Sequence, residues 1–485
     1  MSDSESLTTL DEIEIELEQS VEQKRPYFFQ LDVLKAIAIA FVVMDHSLYW
    51  DIKGQMGSLF WERLSIPFFL IVMGFNMAYS FKYSGATTLR ELYSEEYFKG
   101  KIVRYVLPFA VLYMGSILVG LYTGLIRFSE YTLIGTLPFW GPGNWFIALL
   151  FGSIVVFPFV YWLFKKQPVL TLILCFLGEI VLQAILFIWF PYPIESALEA
   201  FIVSAVRQSV IFYLPAIGLG LWFSEGYNLR EKRNWFMFLY VPICLMFMVD
   251  YVTISPNTHR GILGALPNSF GEFINFVQVV FAGDYSLLFY GYAAILFICA
   301  MILIPQKPNG KLQRFVQQVG RASYHILLFQ IFYMSIVYYT VSIDDAISHQ
   351  IPVFPIVLGW PSDLYYIPFY LMNLTICFAG GLLWYKAEKR AAKRGKPWYQ
   401  HAWMIRTALL FGALMSIVMM GVSLELIAEY MGLNYWAEHH GPLFVLNEIT
   451  GPGVMATVLA IIFFIGLCMT CLYKAFTMDD DEIPL

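Results

Sequence analysis

The chain has 485 residues, 59% of them hydrophobic and only 14% charged, with a mean hydropathy of +0.64 and a formal net charge of -6. Apolar runs of about 20 residues, each long enough to cross a ~30 Å hydrocarbon core, recur from end to end. This composition excludes a soluble globular enzyme and a basic nucleic-acid-binding module. It predicts an all-α polytopic membrane protein with about twelve transmembrane helices.

Residues 1–27 read as an acidic cytoplasmic tail, with no basic stretch of the signal-peptide kind ahead of the first apolar run. The first span, 31–51, contains Lys35 and His46. Eleven steps of about 100° return to nearly the same helix face and climb roughly 16 Å. A cation at one membrane face and an imidazole well across the bilayer therefore share one seam. Asp45 points about 100° away from His46 around an ideal helix. The second span, 58–80, opens with Glu62 and Arg63 near the level of His46. At the start of the third, 102–125, Lys101 and Arg104 lie one turn apart on one face. The fourth, 145–164, begins at Trp145 within Gly141-Pro-Gly-Asn-Trp-Phe146. Glu179 lies mid-way along the fifth, 169–191, and Arg207 just inside the sixth, 204–223. Both are costly in lipid and are expected to face the bundle interior. Further spans are predicted at 235–254, 284–304, 323–342, 364–385, 403–426 and 451–473, followed by an acidic tail over 476–485.

Basic residues set the orientation. With both termini cytoplasmic, only Lys53, Arg63, Arg127, Arg207 and Arg260 among the 30 Lys and Arg residues fall on the outer side. That asymmetry follows the positive-inside rule and predicts a multi-pass plasma-membrane protein. The outer stretches 126–144, 255–283 and 427–450 are rich in aromatics, Pro and Gly and read as loops over a cavity. All 6 cysteines fall inside apolar runs and read as small packing residues, the Cys468-Met-Thr-Cys471 pair included. His439-His440 beside Glu438 reads as a surface feature, and no metal is expected.

Two readings of each polar site stand side by side. His46 is a general base or a packing histidine bonded to a neighbouring helix. Lys35, Lys101 and Arg104 converge on phosphates, or snorkel to the inner interface as helix-end cations do. Trp145 is an aromatic-belt residue, or is aimed into a cavity by its Gly/Pro turn. Glu62 and Arg63 pair with each other or face the His46 level.

Taken together, these residues resemble the acyltransferase-3 family of the transmembrane acyltransferase superfamily. Lys35 to His46 is similar to that family's Arg/Lys-x10-His. Lys101-x-x-Arg104 with Leu107-Pro108 resembles its Arg-x-x-Arg followed by Ile/Leu-Pro, with Lys for the first Arg. Pro67-Phe-Phe-Leu-Ile-Val-Met-Gly-Phe75 and Trp145-Phe-Ile147 resemble its second- and fourth-helix signatures. Val319-Gly-Arg-Ala-Ser-Tyr-His-Ile-Leu-Leu-Phe-Gln330 is similar to a late motif in which Leu327 replaces a Tyr and Gln330 a His. The resemblance covers residues 28–385 and leaves 386–475 as two additional helices.

The resemblance implies transfer of an acyl group, commonly acetyl, from cytoplasmic acyl-CoA to a hydroxyl of a cell-envelope glycan or glycolipid at the outer face. It implies CoA phosphates on Lys35, Lys101 and Arg104 and catalysis by His46, as base or as a transient acyl-imidazole. Glu62, Trp145 and Arg207 are then candidates for holding the acceptor. The competing readings are a twelve-helix secondary transporter and a non-catalytic exporter of glycan lipids. The loop Phe81-Lys-Tyr-Ser-Gly-Ala-Thr-Thr-Leu-Arg90 lacks the Gly- and Arg-rich pattern of one large transporter class.

Overall fold

The computed structural model describes residues 26–48, 53, 56–113, 115, 143–190, 202–203, 206–253, 286–339, 366–393 and 452–477, with isolated positions between 406 and 416. Residues 1–25 and 478–485, the outer stretches apart from residues 143–144, His439, His440 and most of the 403–426 span lie outside the described residues. The described residues are helical, without strand.

In chain order the helices are α1 (Phe29–Asp45), α2 (Ser58–Ser84), the short α3 (Leu89–Leu92) and α4 (Glu95–Lys101). There follow α5 (Trp145–Lys166), α6 (Pro168–Trp189), α7 (Leu214–Phe223), α8 (Met237–Thr253) and α9 (Leu287–Leu303). The last are α10 (Lys311–Arg321), α11 (Ser323–Tyr339), α12 (Tyr366–Lys393) and α13 (Pro452–Thr477). By length and composition, Phe60–Ser84, Trp145–Lys166 and Pro168–Trp189 are each able to cross a membrane. α12 runs through position 385, where the sequence divided the core from the additional helices.

The side-chain distribution is that of a bundle in lipid. Along α6 the inward seam is Thr171, Cys175, Glu179, Gln183 and Leu186, spaced by three or four residues. Its exposed face carries Val169, Leu170, Ile173, Leu174, Leu177, Val181 and Ile188. Polar groups thus turn toward protein and apolar ones toward lipid, as the cost of unpaired polarity in hydrocarbon requires. Glu179 lies inside as expected, fully buried, and accepts a 2.8 Å hydrogen bond from the Leu287 backbone N–H at the start of α9.

Arg207 departs from expectation: it is exposed. The Val210–Tyr213 turn that follows it is 3-10. Three residues per turn rather than 3.6 puts the segment before it out of phase with the α-helical face read from sequence.

Water cannot drive helices together within lipid, so close packing and hydrogen bonds must. α2 and α7 meet through reciprocal glycines. A Cβ on Gly74 would collide with the backbone of Ile217, and one on Gly220 with the backbone of Ile71. Gly320 of α10 is pressed in the same way against the backbone of Asp32 in α1. α1 is therefore held along its length by α2, α10, α11 and α12, and its two ends carry the polar chemistry.

Candidate active site

At the N-terminal end of α1 a cavity of about 660 Å³ opens among α1, α2, α11, α12 and the segment after α4. This is within the range of small-molecule sites, about 300–1,000 Å³. Its basic lining comprises Lys35, Lys101, Arg104, Arg321 and Lys389, and its acids are Asp32 and Glu388. The three cations named from sequence thus line one cavity, joined by Arg321 and Lys389 from more than 200 residues downstream.

A local irregularity aims the Lys101 and Arg104 segment. After α4 the chain makes a π-helical turn, Ile102–Val106, in which the Leu107 N–H donates to the Ile102 carbonyl. Pro108 supplies the physical reason. It has no N–H to return to the Arg104 carbonyl, and its ring crowds that oxygen, so the preceding turn widens. In consequence Lys101, Val103, Arg104 and Tyr105 all line the cavity. Lys101 Nζ lies 5.3 Å from the Tyr97 ring and 5.8 Å from that of Tyr105, and Arg104 Cζ 5.4 Å from the Tyr105 ring. The Tyr324 hydroxyl donates to the Tyr105 carbonyl at 2.6 Å, fixing this wall to α11.

Lys35 differs from the sequence picture in one respect. Its Nζ lies 2.7 Å from Asp32 Oδ1, one turn earlier on α1. Asp32 also faces Arg321 Nε at 3.5 Å and accepts a 2.5 Å hydrogen bond from the Tyr27 hydroxyl. Tyr27 in turn lies 4.8 Å beneath the Arg321 guanidinium and accepts from Gln317 at 2.6 Å. Burial, helped by the hydrogen bond to Asp32, pushes the Tyr27 phenol above its ordinary pKa. Across the cavity His325 pairs with Glu388, its ring edge-on to Trp384 and Tyr385. Positive charge remains in excess, with Lys101, Arg104 and Lys389 on the open wall.

The upper wall is apolar, with Phe69, Phe146 and Leu150. Phe146 stands three residues beyond Gly143, and Gly143 touches the outer polar cluster. Its φ of +87° is the left-handed region that suits glycine. A Cβ placed there would lie 3.7 Å from His46 Nε2 and 3.8 Å from Gln330 Oε1. Gly143, without a side chain, thus lies beside His46 Nε2. His46 itself caps the C-terminus of α1 and is not part of the cavity wall.

Other contacts fix this level. The Asn373 amide donates to Ser47 Oγ at 3.0 Å and its carbonyl accepts from the Tyr333 hydroxyl at 2.9 Å. The fully buried Asn373 ties α11 and α12 to the residue after His46. Asp45, which an ideal helix turns away, approaches His46 because the helix ends there. Its Oδ2 is 3.7 Å from His46 Nδ1, while its Oδ1 lies 2.6 Å from the buried Lys53. Arg63 is buried with its guanidinium 5.6 Å from the Phe289 ring, and Glu62 beside it is half-buried. Trp145 stacks on Tyr213 at 5.7 Å, so the start of α5 adjoins the 3-10 turn that follows Arg207.

The acyltransferase domain of the acyltransferase-3 family matches residues 28–362, well over half of the chain. The chain belongs to the acyltransferase-3 family. It is an integral membrane protein of that family, helical throughout its described residues, with acyl transfer as its general activity. No curated protein and no solved structure matches it.

Residues that sequence alone did not single out for this site are Asp32, Arg321, Lys389, Asn373, Lys53 and Gly143. Only the motif around Arg321 and Gln330, and the Gly/Pro turn at Gly143, gave a local signal.

Proposed function

We propose that this acyltransferase takes an acyl group, acetyl in the first instance, from cytoplasmic acyl-CoA and passes it to a hydroxyl at the outer face. The acceptor class is a cell-envelope glycan or glycolipid. The observation that carries this reading is the cationic cavity at one end of α1 and the partly exposed His46, against bare backbone, at the other.

On this reading Lys101, Arg104, Lys35 and Arg321 hold the CoA phosphates, with Arg104 offering a planar fork that Lys lacks. The pantetheine arm rises past Phe69, Phe146 and Leu150, which suit an uncharged chain. The climb from Lys35 to His46 is roughly 16 Å. His46 Nε2 takes the proton from the acceptor hydroxyl as its oxygen attacks the thioester carbonyl. The C–S bond breaks, an ester forms, and the imidazolium returns the proton to the departing thiolate. Transfer through an acyl-imidazole gives the same products.

Glu62 and Trp145 are the acceptor contacts we favour at the outer level. The exposed Arg207 meets an acceptor only from the surface. The proposed frame is about twelve spans with both termini cytoplasmic in the plasma membrane. Residues 28–385 form the catalytic core, 386–475 two additional helices, and 1–27 and 476–485 the acidic tails. A secondary transporter finds no support in the family match.

The test is transfer of labelled acetyl from acetyl-CoA into lipid or glycan extracts by membranes containing the protein. CoA-dependent labelling is expected. Substrate uptake without CoA dependence, and no labelling, would overturn the reading.

A further inference from the structure

The geometry points to Lys53 and Asp45 as a positioning pair for His46: a buried ion pair that presents one carboxylate oxygen to the imidazole Nδ1. This rests on the reading of His46 as the base.

Lys53 is only 1% exposed, and its Nζ lies 2.6 Å from Asp45 Oδ1. A buried ammonium is tolerated only when paired, and at this level of a membrane protein a lysine needs a reason. The pairing leaves the second oxygen of Asp45, Oδ2, facing His46 Nδ1 at 3.7 Å. That separation is too long for a hydrogen bond but close enough to attract an imidazolium. The opposite nitrogen, Nε2, lies on the side of Gly143, where a Cβ would stand 3.7 Å from it.

The two nitrogens thereby have separate tasks. In the proposed reaction Nε2 takes the acceptor's proton, and Nδ1 is backed by negative charge as the ring becomes charged. Lys53, 2.6 Å from Oδ1, fixes the rotamer of Asp45. It also offsets the carboxylate's charge, so that the resting imidazole is not drawn into a permanent ion pair. Neither residue touches the reacting atoms. Their effect is on the turnover step and not on binding of the donor at the far end of α1.

The experiment compares Lys53→Met, Lys53→Arg, Asp45→Asn and the double variant Asp45→Asn/Lys53→Met with His46→Ala, in full-length protein turning over acetyl-CoA. Lys53→Met and Asp45→Asn should each lower kcat about tenfold to a hundredfold, part of the range spanned by general acid–base catalysis. The KM for acetyl-CoA should stay within about twofold, since the donor site is a helix length away. Lys53→Arg should recover most of the loss, and the double variant should be no worse than the worse single.

Unchanged kcat in Lys53→Met or in Asp45→Asn would overturn the proposal. So would a loss in Lys53→Met that Lys53→Arg shares in full, or one expressed equally in KM. If Lys53→Met is not recovered as folded protein, the near-isosteric Asp45→Asn decides. Full activity in His46→Ala overturns the base reading and this proposal with it. An inactive His46→Ala beside a fully active Asp45→Asn overturns this proposal alone.

Discussion

The two ends of α1 solve opposite problems. At the N-terminal end, Lys35, Lys101, Arg104, Arg321 and Lys389 surround an open cavity and outnumber the acids beside them. If they share the task of holding the proposed donor, losing one should weaken its binding by degrees. At the outer end, His46, Asp45, Lys53, Ser47 and Asn373 form a compact cluster in which distances are short and roles are not duplicated. A donor with several phosphates is suited to a diffuse field. A proton transfer needs one atom held in one place. The comparison teaches that substitutions at the inner end should act on KM, and those at the outer end on kcat.

Apart from His46 and its Asp45–Lys53 pair, the largest break is expected at Gly143. Gly143→Ala forces a side chain into a backbone of φ +87° and sets a methyl 3.7 Å from His46 Nε2. The backbone strain alone is about 1–2 kcal/mol. The methyl also occupies space that the acceptor hydroxyl needs, so kcat should fall at least about tenfold with the donor KM unchanged. Steady-state kinetics with acetyl-CoA would check this, and a rise in KM alone would erase the distinction between the ends.

A smaller effect follows from Arg104→Glu. Losing one charge-assisted phosphate contact is worth about 1.5–3 kcal/mol, roughly a tenfold to hundredfold rise in KM for acetyl-CoA. Neighbouring cations should hold it near the lower figure. Arg104→Lys should fall between the two, because it keeps the charge but loses the fork. An unchanged KM in Arg104→Glu would remove this residue from the donor site.

The smallest effect lies outside both ends, in the loop that carries the chain from α2 to α4. Glu91 caps the start of α3, accepting from the backbone N–H groups of Thr87 and Thr88, and these hold its carboxyl below the ordinary carboxylate range. A depressed folded pKa contributes stability that is fully present above the unfolded value and is lost as pH falls through the folded one. Glu91→Gln should therefore matter slightly at neutral pH and not at all in acid below both values. Thermal unfolding at the two pH values would show it, and a larger effect in acid would reverse the assignment.

Much of the frame was legible in the sequence because lipid imposes a simple code of length and hydropathy. Residues 145–164 and 169–191 coincide with α5 and α6 to within a few positions for that reason. Lys35 was placed on the cavity by its position at the start of α1, which helical periodicity gives. Arg321 and Lys389 were not, since reaching the cavity depends on how α10 and α12 pack on α1, and no local pattern encodes that. The π turn at Ile102–Val106 was readable only after Pro108 was seen to sit where a regular helix must give way. Arg207 was misplaced because a 3-10 turn shifted its phase. Asp45 approached His46 because the helix ended where the periodic reading continued it. At Asp45 the helix ends at the residue in question, and at Arg207 the geometry changes three residues later.

The central claim is that the inner end of α1 binds the donor while His46 at the outer end performs the transfer. Measuring both on one protein tests it most directly: acetyl-CoA affinity by equilibrium binding, and labelled acetyl transfer, on purified His46→Ala beside the unaltered chain. The account predicts an unchanged Kd for acetyl-CoA and no transfer above background. Retained transfer, or a loss of binding that accounts for the loss of transfer, would contradict it.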